Sequence, residues 1–253
     1  MTTLKELCAY TDELLQNGAL PDYCNNGLQV EGKEKITRIA TAVTASLATI
    51  HAAIKCGAHA LIVHHGLFWT GDSYVIAGSK RDKLNLLLKH EISLIAYHLP
   101  LDAHQELGNN WKAARDMGWT ELQPFGITKN KNILLGVRGR VPSISRDKFR
   151  WRLEEYYQHP AHCALGGPSK IKTAALISGG AHRSISEAIS AGVDCFITGS
   201  FDEPVWHQAY EEGINFFALG HSATERIGPQ ALGEHLKERF GVEHHFLDIP
   251  NPF

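Results

Sequence analysis

At 253 residues the chain is long enough to bury one large core or two smaller ones, and 25 Lys+Arg against 27 Asp+Glu leave a formal net charge of −2. That near balance, without a long run of either sign, gives no support to nucleic-acid binding through overall charge or to an acidic tail. No run of about 18 consecutive apolar residues exists, so no transmembrane helix is expected.

In chain order, residues 3–17 carry Leu4, Leu7, Leu14 and Leu15 at helical spacing and predict a first helix, whose early acids are unlike a secretory signal. Pro21-Asp22-Tyr23 and Asn25-Asn26-Gly27 supply turn chemistry ahead of Leu28-Gln29-Val30. The β-branched run Ile36 to Thr44 predicts a strand. Ser46 is placed to cap a helix with an apolar face of Leu47, Ile50, Ala53 and Ile54, closed by Gly57. Ala60 to Val63 predicts the next strand, which runs straight into His64-His65-Gly66. Such a strand–helix–strand unit predicts parallel strands, and ligands bind beyond their carboxyl ends.

Gly66 to Gly78 reads as a loop with aromatics, Lys80 to His90 as a helix, and Ile92 to Tyr97 as another strand. That strand enters His98-Leu99-Pro100-Leu101-Asp102, where Pro100 predicts extended chain or a loop. A helix is predicted at about 111–117, after Gly108-Asn109-Asn110. Residues 121–172 differ in texture, with a helix from Ser145 to Tyr157, and read as a second subdomain or an insertion. Arg146, Lys148, Arg150, Trp151 and Arg152 there present either a weak anion-binding surface or a solvated helix face.

The pattern then repeats. Ala175 to Ser200 aligns without a gap on Ala40 to His65, and Ile214 to His221 resembles Ile92 to His98. Pro229 opens a last helix to Phe240, and His244 to Ile249 predicts a final strand. The fold class expected is α/β: two related domains with mixed sheets flanked by helices. They are placed at 1–125, with the HHG and LPLD motifs, and 126–253, with a divergent segment 126–172 and the GHSATER motif.

Histidine is the compositional outlier, at 15. In the second half Gly199 and Ser200 replace the paired His64 and His65, yet both halves keep a strand-end histidine followed four residues on by a carboxylate: His98 and Asp102, His221 and Glu225. If the halves are related by a pseudo-twofold, His64, His65, Asp102, His221 and Glu225 gather, with His98 nearby. Imidazoles and carboxylates without thiolate suit Zn, Fe, Mn, Co or Ni better than Ca or Mg. Two carboxylates also offer bridging oxygens for a pair of ions about 3.5–4 Å apart. Adjacent strand residues point to opposite faces, so His64 and His65 are expected to serve one ion each. His221 to Glu225 spans one helical turn, with both side chains on one face.

Plainer readings stand beside these. His64 and His65 are also what two solvated loop histidines look like, and His98 suits an imidazole that orients a ligand or packs in a core. Asp102 is placed to cap the following segment, and Glu225 to pair with Arg226 or Lys237. Gly179-Gly180 suggests a phosphate loop or a tight turn, and it lacks GxGxxG and a Walker lysine. His162, His182, His207 and His244, like the other remaining histidines, read as surface or structural. The five cysteines, Cys8, Cys24, Cys56, Cys163 and Cys195, lie far apart without a CxxC pair, which favours reduced thiols and a cytoplasmic location.

DYCNNGLQVEG (22–32), TAVTAS (41–46), LIVHHGLFW (61–69), YHLPLDAHQELGNN (97–110), GVDCFITG (192–199), GHSATER (220–226) and DIPNP (248–252) resemble, in order, the bacterial YbgI-type members of the Nif-three-like family of dinuclear-metal proteins, a group labelled GTP cyclohydrolase I type 2 homolog. The resemblance covers nearly the whole chain apart from 121–172. It implies two related α/β domains and a ring-shaped homohexamer, a trimer of dimers, with metal sites facing an internal cavity. It implies two divalent transition-metal ions per chain, with His64, His65, Asp102, His221 and Glu225 as the ligands. The activity it implies is metal-dependent hydrolysis of a nucleotide or purine-like small molecule, in which His98 has a place as a proton shuttle. The rival class is a non-catalytic metal-binding, metal-delivery or interaction protein. Action on damaged nucleic acid gains nothing from the balanced charge.

Overall fold

The computed structural model describes residues 2–127 and 134–253. β1 (Thr2–Thr3) leads into α1 (Leu4–Leu14), which opens on a capping box. The Thr3 hydroxyl accepts from Glu6 N–H at 3.2 Å, and the Glu6 carboxylate accepts from Thr3 N–H at 2.9 Å. β2 (Gly27–Val30), β3 (Lys35–Ile36) and β4 (Arg38–Thr44) follow. Ser46 caps α2 (Leu47–Cys56) through Thr49 N–H, and Gly57 ends it at φ 68, the left-handed conformation that glycine adopts without strain. Then come β5 (Ala60–His65), α3 (Gly78–Lys89), β6 (Ser93–Ala96) and α4 (Leu99–Ala103).

The chain continues through α5 (Asn109–Asp116), β7 (Thr120–Ile127), β8 (Leu134–Ser145), α6 (Arg146–Tyr157), β9 (His162–Leu165), β10 (Lys170–Leu176), α7 (Ile185–Ser190), β11 (Cys195–Thr198), α8 (Glu203–Glu211) and β12 (Asn215–Ala218). It ends with α9 (His221–Thr224), α10 (Ile227–Phe240) and β13 (Glu243–Phe246). Among the described residues no helix is long and apolar enough to cross a membrane.

Two compact units result. The first is Met1–Leu101 with Gly228–Pro250, the second Asp102–Ile227 with Asn251–Phe253. The expected division at 125/126 treated each domain as continuous, whereas contacts return the C-terminal helix and strand to the first unit. There β13 pairs parallel to β4, with His244 opposite Ile39.

The first unit's sheet runs β13-β4-β5-β6-β2, parallel except for β2 at the edge, and β1 pairs with β3 apart from it. Ile50 and Ala53 of α2, Leu87 of α3, and Leu61 and Val63 of β5 share its core. The second unit's sheet runs β7-β8-β10-β11-β12-β9. It is mixed: β10, β11 and β12 pair parallel, while β7, β8 and β9 pair antiparallel with their neighbours. β11 and β12 are buried on both faces, as parallel strands covered by helices must be. Leu176, Ile197 and Phe217 pack on the side of α6 residues Phe149 and Leu153. The intervening Ala175, Phe196 and Phe216 pack with Ala188 of α7 and Val205 of α8. The 121–172 stretch, expected as a subdomain or insertion, therefore supplies β7, β8, α6 and β9 to this sheet and its cover. Its residues 128–133 lie outside the described residues.

The internal repeat is present in the register. Ile39↔Ala60, Ala40↔Leu61 and Thr41↔Ile62 in the first unit correspond, along the gapless alignment, to Ala174↔Cys195, Ala175↔Phe196 and Leu176↔Ile197 in the second. Each triplet of parallel strands is flanked by an antiparallel strand from earlier in the chain, β2 beside β6 and β9 beside β12.

Candidate metal-binding residues

β5 does not end before the histidine pair: it runs through His65, whose partner across the ladder is Thr44. His64 is fully buried and His65 partly so, and their rings still approach to 4.8 Å between centroids. His98, just past the end of β6, brings a third ring 5.0 Å from His64 and 5.7 Å from His65. The three imidazoles offer ligand nitrogens that all lie within 4.8 Å of one another. Solvated loop histidines do not cluster in this way, so that reading of the pair falls.

Each ring is turned by a specific partner at Nδ1. His64 Nδ1 lies 3.0 Å from the Tyr97 carbonyl oxygen, which can only accept, so the proton sits on Nδ1 and the lone pair on Nε2. His65 Nδ1 lies 3.0 Å from the Thr44 hydroxyl. His98 Nδ1 lies 2.8 Å from a carboxylate oxygen of Asp22, the carboxylate–histidine pairing common behind metal-binding imidazoles. Asp22 is itself held by N–H groups of Cys24 at 3.1 Å and Leu99 at 2.9 Å and by the Asn26 amide at 2.9 Å. Burial pushes the Asp22 carboxyl up. The hydrogen bond and charge of His98, with the Asn26 and Cys24 contacts, outweigh that and hold it at about 2. Trp69 stands edge-on to His98 at 5.1 Å and donates its indole N–H to the Gly66 carbonyl at 3.0 Å. A Cβ at Gly66 would strike the Gln29 amide, whose oxygen accepts from Leu67 N–H at 2.7 Å, so any side chain there would have to displace that amide.

Beyond His98 the chain is helical where Pro100 predicts extended chain or a loop: Leu99–Ala103 forms α4. Pro100 is the second helical residue, where a missing N–H costs nothing, and the Leu99 N–H is satisfied by Asp22.

In the second unit Asp102 is buried, and one of its oxygens accepts from Asn109 Nδ2 at 2.8 Å and from the Ser178 hydroxyl at 3.1 Å. Asn110 ties the same region together: its amide donates to the Leu135 carbonyl at 2.8 Å, and its oxygen accepts from Ser178 N–H at 2.7 Å. His221 and Glu225 bracket the turn of α9, with His221 Nε2 3.2 Å from Glu225 Oε1 and the carboxylate buried. Gly179, next to Ser178, lies under that turn. Its N–H donates to the Thr224 hydroxyl at 3.0 Å, its φ is +66, and a Cβ there would meet the Glu225 carboxylate. Gly179-Gly180 is thus a tight turn on which the His221–Glu225 segment packs. Gly199, at the repeat position of His64, is held to glycine because a Cβ would strike His221 Cα and Thr224 Oγ1.

Within single units, then, the first gathers His64, His65 and His98, and the second gathers His221 and Glu225 and anchors Asp102. Sequence reasoning missed Asp22, Asn109, Asn110 and Ser178 as the groups that aim these side chains. Their signal was an acid or amide in turn chemistry next to a candidate ligand, as in Pro21-Asp22 and Gly108-Asn109-Asn110. The anion-surface reading of α6 gains nothing, since Arg150 pairs with Glu154 at 2.9 Å.

Comparison with known proteins agrees with this frame. A Chlamydia pneumoniae protein named GTP cyclohydrolase 1 type 2 homolog is 50% identical over 250 residues, 98% of each chain. The solved structure of protein ybgI, described as of unknown function, matches with a TM-score of 0.92 at 40% identity over the full length of both chains. A crystal structure of a Thermus thermophilus protein matches with a TM-score of 0.91 at 35% identity, again over both full chains. The family model described as Duf34/NIF3 (NGG1p interacting factor 3) matches residues 2–252, and the chain belongs to that family.

Proposed function

We propose that His64, His65, Asp102, His221 and Glu225 together hold two divalent transition-metal ions, and that the protein is a metal-dependent hydrolase of a nucleotide or purine-like substrate. The observation that carries this reading is the cluster of three imidazoles with ligand nitrogens within 4.8 Å, each turned at Nδ1 by a defined partner. The donor set fits the proposed ions: neutral imidazole nitrogens and buried carboxylates, without thiolate. Bound ions of this kind supply Lewis-acid polarisation of a carbonyl or phosphoryl oxygen. The chain's own residues do the positioning. Asp22 holds the His98 ring with its lone pair on Nε2, where that imidazole can take and return a proton, and Asn109 and Ser178 fix the Asp102 carboxylate. The substrate class follows the relatives' name, GTP cyclohydrolase 1 type 2 homolog. A cytoplasmic location and a ring-shaped homohexamer belong to the same proposal, the former supported by the free cysteines.

Elemental analysis after reconstitution with Zn, Mn, Fe, Co or Ni should give about two ions per chain, as the proposed two-metal arrangement requires. A value near zero with every metal would sink the ligand assignment. With metal bound, Glu225→Ala should abolish turnover across a nucleotide panel while sedimentation velocity shows the wild-type assembly. If metal-loaded wild type turns over nothing in that panel, the protein is a metal-binding or metal-delivery protein instead.

A further inference from the structure

A second site lies in the second unit, and none of its lining residues is among the five proposed ligands. It is a cavity of about 420 Å³ between β9 and the start of α8, within the roughly 300–1,000 Å³ range of small-molecule pockets. Its floor is apolar and buried, formed by Ala164, Val205 and Phe216. Its walls are aromatic. Phe201 and Trp206 are 55% and 52% exposed, and the His162 ring lies 4.6 Å from Phe201 at an interplanar angle of 34°. Large rings left this open beside a cavity are what a ligand-binding groove presents.

The rim decides the partner's charge. The charged side chains lining the cavity are Asp202 and Glu203, and among the described residues no lysine or arginine lines it. His207 approaches Glu203 at 3.6 Å, and burial pushes the Cys163 thiol up to about 11, so no thiolate lines the cavity at neutral pH. An anion is disfavoured even though α8 begins here, because the Asp202 carboxylate already accepts from the Glu203 N–H at 2.8 Å. The cations that stand over aromatic rings among the described residues sit elsewhere, at Phe68, Trp111, Tyr10 and Phe240.

We propose that this cavity binds a small organic cation carrying a methylated or quaternary ammonium group, with Phe201, Trp206 and His162 facing the cation and Asp202 and Glu203 supplying the counter-charge. Aromatic faces attract such cations through the ring quadrupole, tryptophan most strongly. The acidic rim adds attraction that an uncharged molecule of the same shape does not feel. The site is independent of the metal reading.

Calorimetric titration of the whole protein with choline, and with its uncharged carbon isostere 3,3-dimethylbutan-1-ol, tests this directly. Choline should bind once per chain and about 10-fold or more tighter than the isostere, the selectivity expected of a desolvated cation–π site. Trp206→Ala should weaken choline binding by about 10-fold or more, Trp206→Phe by less, and Glu203→Gln by roughly 3-fold. Removal of metal with a chelator should change none of these values. Equal binding of the two compounds, no binding of choline, or wild-type binding by Trp206→Ala would each overturn the proposal. So would a shift in sedimentation coefficient on Trp206→Ala in a protein that ignores choline, which would assign the aromatic face to contact between copies of the chain.

Discussion

An imidazole becomes a reliable ligand only when something settles which of its nitrogens keeps the lone pair. The Tyr97 carbonyl does this for His64, and Asp22 does it for His98. Asp22→Asn keeps a group of the same shape but removes the charge, and an amide can present its N–H₂ to the ring. It should lower turnover by the metal-loaded protein by about 100-fold, the usual contribution of a positioned proton-transfer group, and leave the affinity for Zn unchanged. Steady-state kinetics beside competition with a chromophoric chelator measures both, and unchanged turnover would remove Asp22 from the site. Asn109→Ala, which frees the Asp102 carboxylate, should instead lower the affinity for Zn by about 10- to 100-fold. At this scale the ligands were legible and their supports were not. His64 and His65 follow an apolar strand and catch the eye, whereas Asp22 reads as turn chemistry until His98, far along the chain, is seen against it.

Among the elements, the turn at Gly179 makes the sharpest demand. Its φ of +66 and the Glu225 carboxylate over its Cα leave no room for a side chain. Gly179→Ala should destabilise the protein by about 2 kcal/mol or more, from backbone strain together with the clash, and should displace Glu225. Urea denaturation and metal stoichiometry check both parts, and a variant with wild-type stability and full metal content would refute the account. A different element pair carries a pH dependence. His244 of β13 donates from Nδ1 to Glu234 of α10 at 2.8 Å, and its Nε2 lies 2.8 Å from the Thr41 hydroxyl, an arrangement the neutral ring satisfies. Burial is the main reason its pKa is held below the ordinary 6.5, outweighing Glu234, with Lys237 and His245 adding to the depression. The unfolded chain therefore takes this proton first. The stabilisation is full above about 6.5 and drains away as pH falls below it. The thermal midpoint of wild type should drop more between pH 7.5 and 5.5 than that of His244→Gln, and parallel drops would contradict the assignment.

At the scale of the whole molecule, the path of the chain matters more than its composition. The first unit is completed by residues that follow the long Asp102–Ile227 segment of the second unit: Leu232 and Leu236 of α10 are buried, and β13 extends the sheet beside β4. A chain ending at residue 227 should therefore not yield a folded first unit, because it leaves β4 an open edge and strips apolar cover. Co-expression of 228–253 as a separate fragment should rescue it. A cooperative thermal transition of the first unit in the truncated protein alone would count against this.

The alternation of apolar strands and capped helices, the repeat between Ala40–His65 and Ala175–Ser200, and the clustering of histidine and carboxylate at strand ends are local patterns, and a linear reading recovers local patterns. The register of the repeat agrees residue for residue. Four other features depended on groups distant in sequence: the return of β13 to the first sheet, the incorporation of 121–172 into the second, the helical turn that Asp22 allows around Pro100, and the orientation of each imidazole. Hydrogen bonds and packing across such separations leave no periodicity in the chain, so only the folded structure decides them.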